Sequence, residues 1–207
     1  MTRIIVFAKA PLAGFAKTRL IPVLGSAGAA KLARQMLHRT LNSAVAAAVG
    51  PVELCVTPEI TSPAWLGVDI TQGVEISAQG DGDLGARLAR ATQRALEHDD
   101  SVLLIGTDCV EMSAPLLREA GIALKRKDAV IYPAADGGYA LLGLTEFHPS
   151  MFSNIPWSTA SVAAETIARI GQLCWSLEVG PLLHDVDEPD DLERLPANWL
   201  QAASCSD

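Results

Sequence analysis

Five segments of this 207-residue chain carry reactive side chains, and in three of them glycines let a ligand approach the backbone. The first runs from Lys9 to Leu20. Lys9, Lys17 and Arg19 bring cations, and Thr18 a hydroxyl, to a loop turned by Gly14. Phosphate is the usual guest of such a set, although a solvated basic loop uses the same residues equally well. The second is Thr107-Asp108-Cys109, where Asp108 offers oxygens of the kind hard cations take. Capping the helix that follows is the competing use, and Ser113 suits it better, because Asp108 comes several residues too early. The third, Pro133 to Tyr139, sets Asp136 before Gly137 and Gly138. Alone, this motif reads first as a hairpin turn and second as a close approach to a ligand, with Asp136 a candidate general base by position. In the fourth, Gln79-Gly80-Asp81-Gly82-Asp83, the glycines leave room for a flat base or simply make a surface turn, and Asp83 is placed to cap a helix. The fifth, His184 to Asp191, is acidic: most of it suits a helix start, and Asp185 or Asp187 offers a second metal ligand.

Each segment follows an apolar run of strand length. Strands are expected at 3–8, 52–57, 74–79, 101–106, 129–133, 139–144 and 175–179. Helical spacing of apolar residues predicts helices at 26–49, where Leu32, Met36, Leu41 and Val45 recur, and at 83–97, with Leu84, Leu88, Ala91, Ala95 and Leu96 facing inward. Further helices are expected at 114–126 and 158–170, a short one near Ala64-Trp65-Leu66, and a closing turn at 189–195. This alternation predicts an α/β fold, a three-layer Rossmann-like domain with a mostly parallel sheet. Ligands of such sheets lie beyond the carboxyl ends of the strands, where the five segments fall. No linker or repeat divides the chain, so one domain is expected over 1–201, with a loose tail at 202–207.

Composition narrows the function. Lys and Arg number 16 against 24 Asp and Glu, a net charge of −8, which excludes non-specific nucleic-acid binding through a basic surface. Cys55, Cys109, Cys174 and Cys205 form no C-x-x-C pair, so no zinc knuckle or dithiol redox site is legible. The N-terminal apolar run is strand-length and ends at Lys9, unlike a signal peptide, and no stretch is long enough to span a membrane. A cytoplasmic location is the expectation. The Walker A and dinucleotide-binding glycine patterns are both absent.

Taken in order, FAKAPLAGFAKTRL, QGDGDLGARL, LLIGTDC, PAADGGYALLGL, PWST and DVDEPDDL resemble the bacterial nucleotide-diphospho-sugar-transferase-like proteins, putative glycosyltransferases of the A-type glycosyltransferase (GT-A) fold. The resemblance runs from about Ile4 to Leu195. It implies donor phosphates at Lys17 and Arg19, a nucleotide base near Gln79, Gly80 and Gly82, and Mg²⁺ or Mn²⁺ at Asp108 with Asp185 or Asp187. It further implies that Asp136, Gly137, Gly138 and Tyr139 shape the acceptor or sugar side. The implied activity is a metal-dependent glycosyltransferase taking a nucleoside-diphosphate sugar and a small-molecule acceptor. AKTRLIPVLGSAGAAKLARQML is also similar to 2-phospho-lactate guanylyltransferases and, more distantly, to molybdenum-cofactor guanylyltransferases, so nucleotidyl transfer is a rival. A nucleotide-binding protein without turnover is a second rival. Two residues depart from the family: Phe15 stands where a small polar or basic residue is usual, and Val110 where proline follows the GTDC cysteine. The first thins the positive charge available to phosphates; the second is expected to shift the loop after Asp108.

Overall fold

The computed structural model describes residues 1–196 and 199, so the tail expected at 202–207 lies outside the described residues. Seven strands form one sheet: β1 (Thr2–Lys9), β2 (Val52–Thr57), β3 (Glu75–Ala78), β4 (Ser101–Ile105), β5 (Ala129–Pro133), β6 (Tyr139–Leu144) and β7 (Leu177–Val179). Their spatial order is β3-β2-β1-β4-β6-β5-β7. Strands β3, β2, β1 and β4 run parallel, as do β5 and β7, while β6 is antiparallel to both its neighbours. The tight connection at Asp136-Gly137 forces that reversal, because parallel neighbours need a long crossover.

Period-two alternation loads both faces of the sheet. From β1, Ile4, Val6 and Ala8 join the core under α1 (Ile21–Ala47) and α3 (Ala114–Ala123), which contribute Leu37, Leu41, Leu117 and Ala120. Ile5 joins the opposite core, beneath α2 (Leu84–Leu96) and α4 (Val162–Gln172), with Leu88, Ala91, Ala163 and Ile170. The result is the expected three-layer, mostly parallel α/β architecture. Among the described residues no helix is long and apolar enough to cross a membrane.

Local differences from the expected elements have local causes. Helix α1 starts at Ile21, with Pro22 in its first turn, and is broken at Gly25, whose φ of 69° and ψ of 165° are not helical. Val45 and Leu84, expected to face inward, are 39% and 43% exposed; Leu84 is the first residue of α2 and faces a cleft described below. Helix α4 begins at Val162 rather than Ser158, because Ser158 takes a left-handed conformation, φ 63°. Asp83 caps α2 as expected, accepting a hydrogen bond from the Ala86 amide at 2.8 Å. Ser113 occupies the corresponding position of α3 without making a side-chain bond.

Candidate functional site

Strand order reverses between β1 and β4, and this reversal is where an α/β sheet opens a crevice at its carboxyl edge. Lys9 ends β1, and Asp108 follows β4 by three residues. The loop after β1 is tightly folded: the Phe15 and Ala16 amides both donate to Leu12 O, and Gly14 sits at φ 82°. Lys17 is also left-handed, φ 47° and ψ 48°, and this turns its side chain back toward β4. There its ammonium donates to Asp108 Oδ1 and, at 2.8 Å, to Asp187 Oδ1.

A small apolar cluster holds these three groups together. Leu20 from the first loop, Val110 from the loop after β4, Val186 from the acidic segment and Leu192 just after it pack with Leu32 and Met36 of α1. Val110 is thus a core residue that ties the loop after Asp108 to the acidic segment. The next residue acts in the same way: Glu111 Oε2 accepts from the His184 amide at 2.8 Å and lies 3.2 Å from its Nδ1. The Val186 amide donates to Asp108 O at 2.9 Å, and Asp191 Oδ2 accepts from the Asp187 and Glu188 amides. Asp191 caps the turn that starts at Glu188, a contact with its own neighbours, whereas Glu111 carried no signal in the sequence beyond its charge, and only the docking of one loop on another gives it a partner.

Two clefts meet at Asp108. The first, of about 340 Å³, is lined by Lys9, Lys17, Thr18, Arg19, Asp108 and Asp187, with Phe15, 62% exposed, at its lip. The second, of about 350 Å³, carries Asp108, Asp136, Asp185, Gly138 and Tyr139 beside the apolar side chains of Leu84, Leu88, Trp157 and Val162. Asp136 has a structural duty as well, since its Oδ1 accepts from the Gly138 amide at 2.8 Å in the turn between β5 and β6. Gly137, at φ 90°, has no room for a side chain: a Cβ would lie 2.1 Å from Ala160 O.

The charges are unbalanced. Burial, then the neighbouring carboxylates of Asp108, Asp136 and Asp187, push Asp185 up to about 7 against the weaker opposing effect of Lys17. Burial by itself would lower Lys17, but Asp108 and Asp187 outweigh it and hold the ammonium above its ordinary value. Burial raises the Cys109 thiol to about 11, so beside Asp108 it stays protonated and serves as packing. As they stand, no three His, Cys, Asp or Glu side chains among the described residues converge closely enough to hold an ion. The donor chemistry nevertheless fits a hard divalent cation: the groups are carboxylates, their negative charge is in excess, and a lysine ammonium already bridges Asp108 and Asp187.

The remaining sequence candidates make their contacts with groups other than Asp108 and Asp187. Arg19 pairs with Glu188 at 3.1 Å on the surface. Gln79, Gly80 and Gly82 line neither cleft. The Gln79 amide donates to Ala8 O and Cys55 O at the ends of β1 and β2, and its Oε1 accepts from Arg87. Arg87 and Arg90 also bind the carbonyls of Gly82 and Asp81, so α2 fixes the path of this loop.

A sheet of this order, with a cationic loop after β1 and an acidic tip on β4, is the α/β fold of nucleotide-diphospho-sugar-transferase-like proteins. The chain belongs to the family described as "Uncharacterized protein conserved in bacteria (DUF2064)", whose model matches residues 40–159. It is similar to the crystal structure of a "putative nucleotide-diphospho-sugar transferase" from Desulfovibrio desulfuricans G20, at 33% identity and a TM-score of 0.82, covering 90% of this chain and 82% of that one. Rv0371c from Mycobacterium tuberculosis in complex with manganese shares the fold at 18% identity and TM-score 0.58, covering 94% and 97% of the two chains. A nucleotidyl transferase from Methanothermobacter thermautotroptrophicus does so at 13% identity and TM-score 0.59, covering 98% and 99%. No protein of curated function matches the chain.

Proposed function

We propose that the chain is a transferase that takes a nucleoside-diphosphate sugar as donor and moves the sugar to the hydroxyl of a small-molecule acceptor, all within one domain. The observation that carries this reading is the position of Asp108, held by the ammonium of Lys17 at the meeting point of a cation-lined cleft and an acid-lined one. Two clefts of opposite charge sharing one carboxylate suit a reaction that separates an anionic leaving group from the group it carried. Similarity to the Desulfovibrio protein favours the sugar donor.

In this reading Lys9, Lys17, Thr18 and Arg19 bind the donor diphosphate, with Gly14 shaping the loop around it. Gln79 holds the loop of Gly80 and Gly82 in place beside the nucleotide base. Asp108, with Asp185 or Asp187, would hold Mg²⁺ or Mn²⁺, which supplies positive charge to the leaving diphosphate. Lys17 and Arg19 neutralise the same developing charge from the other side. As the acceptor oxygen bonds to the anomeric carbon, the bond to the diphosphate breaks, and Asp136 takes the hydroxyl proton. Gly137, Gly138 and Tyr139 shape the space in which the acceptor lies.

Titration calorimetry of Mn²⁺ with UDP, GDP and their sugar conjugates tests the assignment. Nucleotide binding should strengthen with metal, and Asp108→Asn should abolish that gain and lower turnover on the order of 10²–10³-fold. Metal-independent binding, or an Asp108→Asn protein that behaves like the parent, would refute it. Products separate this reading from nucleotidyl transfer, which the same residues would serve: nucleoside diphosphate marks sugar transfer, and pyrophosphate marks the rival.

A further inference from the structure

The two clefts that meet at Asp108 differ in more than sign. The first gathers Lys9, Lys17 and Arg19. The second has, among the described residues, no lysine, arginine or histidine in its lining, and it presents the carboxylates of Asp108, Asp136 and Asp185. Its walls are apolar, made by Leu84 and Leu88 of α2, Val162 of α4, and the rings of Tyr139 and Trp157. Trp157 is firmly seated. A Cβ on Gly85 would come within 2.4 Å of Phe152 O and 2.7 Å of Trp157 Nε1, so the indole rests directly on the first turn of α2. Tyr139 gives its ring to the same wall, and its Oη is buried without a hydrogen-bond partner among the described residues.

Resting on the transferase reading above, we infer that the second cleft selects an uncharged hydroxyl compound with an apolar ring or chain, and rejects phosphorylated and carboxylated acceptors. With a divalent ion on Asp108 shared with the donor diphosphate, an anionic substituent would still face Asp136 and the donor phosphates, and the cleft lining holds no lysine, arginine or histidine to pair with it; like charges placed together weaken binding strongly. A hydroxyl suits the acidic side because it can donate to a carboxylate, while the apolar body lies against Trp157 and the leucines of α2. The hydroxyl class also separates this protein from enzymes whose acceptor carries a phosphate.

Matched neutral and anionic probes test the inference. Phenyl β-glucoside and its 6-phosphate are titrated into the full chain, with calorimetry and tryptophan fluorescence as readouts, and nucleotide binding with Mn²⁺ is measured on the same preparation. The neutral probe should bind at least about tenfold more tightly than the phosphate. Trp157→Ala should weaken the neutral probe by up to about tenfold. Leu84→Lys changes an exposed residue on the cleft wall, so it should fold normally and raise the affinity of the phosphate probe. Equal or tighter binding of the phosphate overturns the inference, as does failure of both probes to bind or indifference to both substitutions. If nucleotide binding persists through such a failure, only the acceptor class is wrong; if nucleotide binding is absent too, the transferase reading fails with it.

Discussion

Replacing Lys17 with methionine keeps the aliphatic stem and deletes the ammonium that bridges Asp108 and Asp187. The side chain is 7% exposed, whereas the two carboxylates are 47% and 45% exposed. Removing one partner of a fully buried ion pair costs about 3–5 kcal/mol. Here solvent reaches both carboxylates, so the loss is discounted to about 1–2 kcal/mol. For a chain of this length that corresponds to a melting temperature lowered by about 3–6 °C. The same quantity governs metal binding, because a divalent cation taking up Asp108 and Asp187 must first displace the ammonium. Lys17→Met should therefore bind Mn²⁺ in the absence of nucleotide about tenfold more tightly than the parent, at 1.4 kcal/mol per factor of ten. Its affinity for nucleotide should fall if the ammonium binds the donor phosphates as proposed. Scanning calorimetry, Mn²⁺ titration followed by electron paramagnetic resonance, and nucleotide titration read the three effects. Unchanged or weaker Mn²⁺ binding by Lys17→Met would refute the idea that the lysine occupies the cation's place.

Other consequences can be measured separately. Glu111→Ala removes the acceptor of the His184 amide, so Mn²⁺ affinity should drop several-fold and hydrogen exchange at the Val186 amide, which donates to Asp108 O, should accelerate. Unaltered exchange there would mean that Glu111 does not hold the acidic loop. Gly137→Ala combines a left-handed φ of 90° with a Cβ placed 2.1 Å from Ala160 O, and should cost at least about 2 kcal/mol by chemical denaturation. The two tyrosines report on pH. Burial, then Glu119 and Glu178, raises Tyr132 to about 12, and burial raises Tyr139 further. Folding thus favours the neutral phenols: their contribution to stability is intact below the unfolded value near 10 and is lost as pH rises through about 12. Ultraviolet difference absorbance at about pH 11 should show phenolate in urea-unfolded protein and little in the native one. Native protein that ionises both tyrosines there would contradict the burial.

Much of the architecture is written in local pattern. Strands at Val52–Thr57, Ala129–Pro133 and Tyr139–Leu144 coincide with their apolar runs, whereas α1 ends at Ala47, two residues short of the expected 49, on a left-handed Ala48. Asp83 is legible as a cap because capping is a contact between residues three apart. Starts and faces of helices are less legible. Gly25 breaks α1 inside an alanine-rich run, Ser158 turns left-handed ahead of α4, and Leu84 has the periodicity of a core residue while facing a cleft. None of these three outcomes leaves a trace in the periodicity of the apolar residues.

The candidate site divides along the same line. Residue type and position after a strand were enough to single out Lys9, Lys17, Asp108 and Asp136, and to narrow a second acidic group to Asp185 or Asp187, because the carboxyl edge of a parallel sheet collects whatever follows its strands. Tertiary structure alone decided that Lys17 bridges Asp108 and Asp187, that Val110 and Glu111 secure the acidic loop, and that Gln79 spends its amide on the ends of β1 and β2. Those contacts join residues between 24 and 170 positions apart. A pairing at such separation depends on how helices and loops settle against a sheet, whereas a strand or a cap depends only on its neighbours in the chain.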